Sequence, residues 1–208
     1  MPVKINGATS GSVTLAAPDT GSDVTLTLPA AAGTAATTAY ADAAGGLQLI
    51  TSQTFSAVSA VNVNNCFTAT YSNYLIRIAS TISTTGTIQM RLRSSGTDNS
   101  SSNYYYHSHT SDTSSQTTYS YTRSVGLSTF FHIGNVNGVY DASVDMNSPN
   151  HSRATTVLYQ SVGANATDMQ EQAGGGLMSV TTSYDGFSIV PSAGTITGTI
   201  RVYGYKNS

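Results

Sequence analysis

The chain has 208 residues, a net charge of −2, eight Lys plus Arg, ten Asp plus Glu, and 61 serines and threonines. Eight basic residues scattered along a near-neutral chain exclude the electrostatic footprint of nucleic-acid binding. No apolar run approaches the ~18 residues of a membrane-spanning helix, and no signal-like leader opens the sequence, so neither membrane insertion nor export is expected.

Solubility here rests on hydroxyls and amides rather than charges, the composition of an all-β protein. Thirteen tyrosines and no tryptophan accompany thin long aliphatics, so a monomer would have a modest core and assembly would add buried surface. The single Cys66 has no internal disulfide partner and reads as a small buried side chain.

In chain order, residues 1–46 come first, rich in Ala, Gly and Thr and with Tyr40 as their one aromatic residue. Two alternating runs, residues 12–16 and 23–28, flank the turn-forming Pro18-Asp-Thr-Gly21 and predict a hairpin. Its apolar positions are Val13, Leu15, Val24, Leu26 and Leu28. Two such strands are not stable alone in water, so they are expected to anchor the chain to a neighbour and to drive oligomerisation. Residues 34–44 predict a short helical piece ending at Gly45-Gly46, a joint between this arm and a body spanning 47–208.

The body predicts many short strands separated by Gly, Asn, Asp and Ser clusters, at residues 47–55, 74–79, 87–93, 117–123, 130–133, 155–159, 186–190 and 195–205. Alternation of Ile88, Met90 and Leu92 with Gln89, Arg91 and Arg93 gives one strand a wet face, and Gly198 marks a bulge or close approach. Gly174-Gly-Gly176 and the pair Asp141 and Asp145 read as turns. This pattern predicts an antiparallel β-sandwich of jelly-roll type, with barrel closure as the competitor.

Asn103-Tyr-Tyr-Tyr-His-Ser-His109 is the segment with most chemical potential. On a strand, His107 and His109 share a side, and three copies around an axis would gather six imidazoles, a set suited to a transition metal. The competing reading is a solvated polar loop continuing through Ser108, Thr110, Ser111 and Asp112. Tyr104, Tyr105, Tyr106, Tyr119 and Tyr121 flank the same region. Their flat faces and hydroxyls suit a sugar ring or a protein partner, against the alternative of sheet packing.

Catalysis finds little support. Glycoside hydrolysis needs two flanking carboxylates, Glu171 is the single glutamate, and a pair would have to come from distant residues such as Asp98, Asp112, Asp145 and Asp185. The sequence carries no nucleophile elbow, phosphate loop, zinc set or dinucleotide fingerprint, so no enzymatic activity and no cofactor are expected.

The runs Val3-Lys-Ile-Asn-Gly-Ala-Thr-Ser-Gly-Ser-Val-Thr-Leu-Ala-Ala-Pro18, Thr25-Leu-Thr-Leu-Pro-Ala30 and Gly33-Thr-Ala-Ala-Thr-Thr38 resemble the N-terminal segment of tailed-bacteriophage fibre and virion structural proteins. Tyr71-Ser-Asn-Tyr-Leu-Ile-Arg-Ile78, Met90-Arg-Leu-Arg-Ser-Ser-Gly-Thr-Asp-Asn99 and Ala193-Gly-Thr-Ile-Thr-Gly-Thr-Ile-Arg-Val-Tyr-Gly-Tyr-Lys206 resemble the small β-sandwich joined to it. The resemblance implies a non-enzymatic homotrimeric virion component on the particle exterior. Residues 1–46 would attach it to capsid, neck or tail proteins, and the sandwich would be exposed. It also brings a precedent for His-x-His pairs in trimeric spikes. The arm is shorter than a fibre shaft, which keeps a capsid decoration, or cement, protein open, beside a module that binds host-surface glycan.

Overall fold

The computed structural model describes residues 3–6, 12–15, 46–113, 120–134 and 137–206. The chain divides into two compact units, Met1–Ala41 and Asp42–Ser208. The smaller contains an antiparallel pair, β1 (Val3–Asn6) and β2 (Ser12–Leu15), whose register sets Val13 against Ile5 and Leu15 against Val3. The expected strand at 12–16 is therefore present with Val3–Asn6 as its partner. The expected partner at 23–28, carrying Val24, Leu26 and Leu28, and the helical piece at 34–44 lie outside the described residues.

The larger unit runs through β3 (Leu47–Val58), β4 (Val61–Val63), β5 (Asn73–Ile82), β6 (Ile88–Ser94), β7 (Thr97–Asp98) and β8 (Tyr104–Asp112). It continues with β9 (Ser120–Leu127), β10 (His132–Ile133), β11 (Val139–Asn147), β12 (Thr155–Ala164), β13 (Met169–Met178), β14 (Gly186–Pro191) and β15 (Ile196–Tyr205). No helix occurs among the described residues, and so none is long and apolar enough to cross a membrane.

All pairings are antiparallel. One eight-stranded sheet has the order β3-β15-β5-β11-β12-β13-β8-β9, and a five-stranded sheet has the order β10-β6-β14-β4, with β7 added to β6. Residues of both sheets meet in a single core, a sandwich-like arrangement. Alternation sets the facing. Ile76, Ile78, Val144, Val157 and Ile200 of the large sheet are buried with Met90, Leu92, Phe187 and Ile189 of the small one.

Two turn expectations are corrected. Gly174-Gly-Gly176 lies inside β13, and Asp141 and Asp145 lie inside β11. Packing rather than a reversal of the chain accounts for the glycines at 174 and 176. A Cβ on Gly174 would sit 2.3 Å from the His107 carbonyl oxygen, and one on Gly176 would meet Val157 Cγ2 and the Phe130 ring at 3.0 and 3.1 Å. The aspartates alternate outward, where a carboxylate stays hydrated without ending the strand. Gly198 does fall at a register shift between β15 and β3.

Tyrosine makes up for the thin aliphatics. Tyr74, Tyr104, Tyr140 and Tyr184 are among the largest fully buried side chains, and each hydroxyl reaches a loop. Tyr74 accepts from the Thr68 amide at 2.7 Å and donates to its carbonyl at 2.8 Å. Tyr140 donates to the Gly86 carbonyl at 3.3 Å, and Tyr184 accepts from Asn99 Nδ2 at 2.6 Å. A ring fills the core while its polar tip fixes loop backbone, so a core built this way also orders its connections.

Candidate functional site

Three consecutive tyrosines on a strand cannot share a face, and β8 sorts them. Tyr104 and Tyr106 point into the core and Tyr105 points out, 38% exposed. Tyr104 packs edge-to-face on Phe130 with ring centroids 4.9 Å apart. Its hydroxyl donates to the Asn99 carbonyl at 2.8 Å and accepts from the Leu92 amide at 2.9 Å. Burial pushes the Tyr104 phenol well above its usual range. Tyr121 lies in β9 at the register position of His109, and Tyr119 is outside the described residues. For Tyr104 and Tyr106 the ligand reading gives way to its alternative: alternation commits both to packing and leaves Tyr105 on the outside.

His107 and His109 both point outward on β8, and Ser108 between them is buried. The segment through Asp112 is strand rather than solvated loop, because β13 on one side and β9 on the other pair with it. Among the described residues no three His, Cys, Asp or Glu side chains converge to hold a metal ion. Cys66 is buried, and its thiol is pushed up to about 12 by loss of hydration, so it is an inert packing group.

The outer face of the large sheet forms a grid fixed by register. One row sets Arg201 opposite Arg77, Arg77 opposite Ser143, Ser143 opposite Gln160, Gln160 opposite Ala173 and Ala173 opposite His109. The next row contains Tyr203, Leu75, Asp145, Leu158, Gly175 and His107. Tyr205 donates to Asp145 Oδ1 at 2.6 Å, and this bond raises the pKa of the Tyr205 phenol.

Between the ridges of this grid lies a trough of about 570 Å³, bounded by His107, His109, Asp145, Leu158 and Gln160 over a floor of Ala173 and Gly175. A smaller cavity of about 220 Å³ shares Ser143 and Gln160 with it and reaches Arg77, Asp141 and Glu171. A third, of about 380 Å³, shares His107 and Gly175 and reaches Tyr105, Val125 and Leu177. The floor is low because β13 has almost no side chains there. A Cβ on Gly175 would meet nothing nearer than 3.4 Å, so packing does not require glycine at this position.

The small sheet uses its outward polar groups on itself. Arg93 is 7% exposed and ion-paired to Asp98, and its guanidinium also donates to the Gly96 carbonyl, to Asn64 Oδ1 at 2.9 Å and to Asn62 Oδ1 at 3.0 Å. Ser188 donates to Asp98 Oδ2 at 3.0 Å, and Arg91 lies 3.9 Å from the same oxygen. Asp185 accepts from the Ser95 amide at 2.9 Å. Asp98 and Asp185, named above as remote candidates for an acid pair, thus serve structural bonds.

Sequence reasoning missed Arg77, Ser143, Gln160, Leu158, Gly175 and Arg201 as neighbours. Alternation within 74–79 and 195–205 marks Arg77 and Arg201 as outward, but only non-local pairing shows that they are opposite each other. Comparison with protein-family models, with curated proteins and with solved structures finds no match to this chain.

Proposed function

We propose that the protein is a non-enzymatic structural component of a tailed-bacteriophage particle, a homotrimer attached through residues 1–46 and exposing a jelly-roll-like sandwich. The observation that carries this reading is an apolar patch on one side of the large sheet. Leu47 and Leu49 of β3 are 47% and 48% exposed, and register places them opposite Tyr205 and Tyr203 of β15. Apolar side chains gathered on one sheet flank are what contact between subunits would cover. The chain's repeated passage from one sheet to the other supports a jelly-roll-like connectivity. The particle assignment rests on the resemblance of residues 3–38 to virion arms.

Light scattering tests the assembly. The expected result is a mass three times the 21.6 kDa of one chain, and a monodisperse monomer at micromolar concentration contradicts it. Gold-labelled antibody on purified particles tests the location. Label on tail or neck supports a fibre-like role, label on the head selects decoration, and unlabelled particles overturn both.

A further inference from the structure

The grid on the outer face carries a feature that folding does not call for. Arg77 and Arg201 are directly opposite on neighbouring strands, both exposed, and like charges in that relation are destabilising. Both ion pairs among the described residues are made to Asp98, so neither of these arginines is neutralised by one. From them a polar line crosses the sheet through Ser143 and Gln160 to His109, spanning six strands, about 24 Å at the spacing of paired strands.

The line borders the trough, and the trough's chemistry is mixed. Gln160 offers both a donor and an acceptor on one planar group. Asp145 offers a carboxylate whose second oxygen is not used by Tyr205. Leu158, 64% exposed, stands beside the bare backbone of Gly175 and gives an apolar surface next to these polar groups. Planar polar groups next to an apolar shelf suit a sugar ring, whose hydroxyls lie around its edge and whose C–H bonds cover its face. Asp141 and Glu171 line the cavity beside Arg77 and repel an anion from that side, leaving the Arg77 and Arg201 guanidinium groups as the place for one.

We propose that this face binds an acidic oligosaccharide, with a carboxylate held by Arg77 and Arg201 and a ring seated over Gly175 against Leu158. Binding of this kind does not depend on where the protein sits in a particle.

The test uses the full chain and calorimetric titration with paired probes, sialyllactose against lactose and trigalacturonate against its methyl ester. At least one acidic member is expected to bind ten times more tightly than its neutral partner, and more weakly as salt rises. The double variant Arg77→Ala, Arg201→Ala is expected to lose that preference tenfold or more. Gly175→Val should fill the trough and abolish binding while the circular dichroism spectrum and melting temperature hold, because a Cβ fits there and valine favours strands. If that variant fails to fold, Leu158→Ser reads the same shelf from the neighbouring strand. No binding by either acidic probe overturns the proposal. So does equal binding of acidic and neutral partners, equal binding of a glutamate tripeptide, or affinity that survives the variants.

Discussion

The two sheets treat arginine in opposite ways. On the small sheet Arg93 is buried under an ion pair and a set of amide and carbonyl bonds, so its charge is spent within the fold. On the large sheet Arg77 and Arg201 are exposed, opposite each other and free of ion pairs among the described residues. A residue type therefore says little about role until its partners are counted. A cation enclosed by its own chain stabilises, and one left beside its like is available to something else.

The largest test of that contrast is Asp98→Ala. It leaves the Arg93 guanidinium buried without its counter-ion, and urea unfolding is expected to show a loss of ~3 kcal/mol. A loss below ~1 kcal/mol would mean that the two asparagines and the Gly96 carbonyl hold Arg93 without Asp98.

Next comes Tyr104→Phe. It strips the Leu92 amide of its acceptor in β6 of the same small sheet, for an expected cost of ~1–2 kcal/mol by the same measurement.

The dependence on pH should show a plateau bounded by buried groups. Burial lowers the pKa of His132 from its ordinary 6.5, so its contribution is present above that value and is lost as pH falls through the folded pKa. Burial raises Cys66 from 9.0 to about 12 and Tyr159 from 10.0 to about 12, so theirs is present below the ordinary values and is lost as pH rises toward 12. Melting temperature should be flat from about pH 7 to 9 and fall on either side. Cys66→Ala should shift the onset of the alkaline fall from near 9 to near 10, which a scan in steps of half a unit would resolve.

The smallest effect is expected on the large sheet. Arg77→Ala or Arg201→Ala should leave stability unchanged or raise it by up to ~0.5 kcal/mol, since each removes a like-charge neighbour. A loss above ~1 kcal/mol would show an internal partner and erase the contrast between the sheets.

Much of the fold is legible in the sequence where alternation is clean. Ile88, Met90 and Leu92 point inward in β6 as their spacing predicts, although Arg93 in the polar series is buried because Asp98 and the asparagines receive it. Strands β11 and β13 were illegible for a local reason. Asp and Gly carry turn propensity, and nothing adjacent in sequence reveals the cross-strand carbonyl that requires a glycine at 174. Of the candidate site, the shared facing of His107 and His109 was legible from strand geometry. The grid around them was not, because it joins residues 77, 109, 143, 160, 173 and 201 through pairings that no local pattern encodes. Tyr104 and Tyr106 look like ligand contacts until alternation is applied to all three adjacent tyrosines.

The place of β15 between β3 and β5 has a consequence in time. Of these strands β15 is synthesised last, yet it joins two of the earliest. During translation β3 and β5 leave the ribosome with their facing edges open, and the large sheet cannot close on that flank until residue 205 has emerged. Such a topology folds slowly, and the waiting edges are where an unfinished chain would pair with its neighbour.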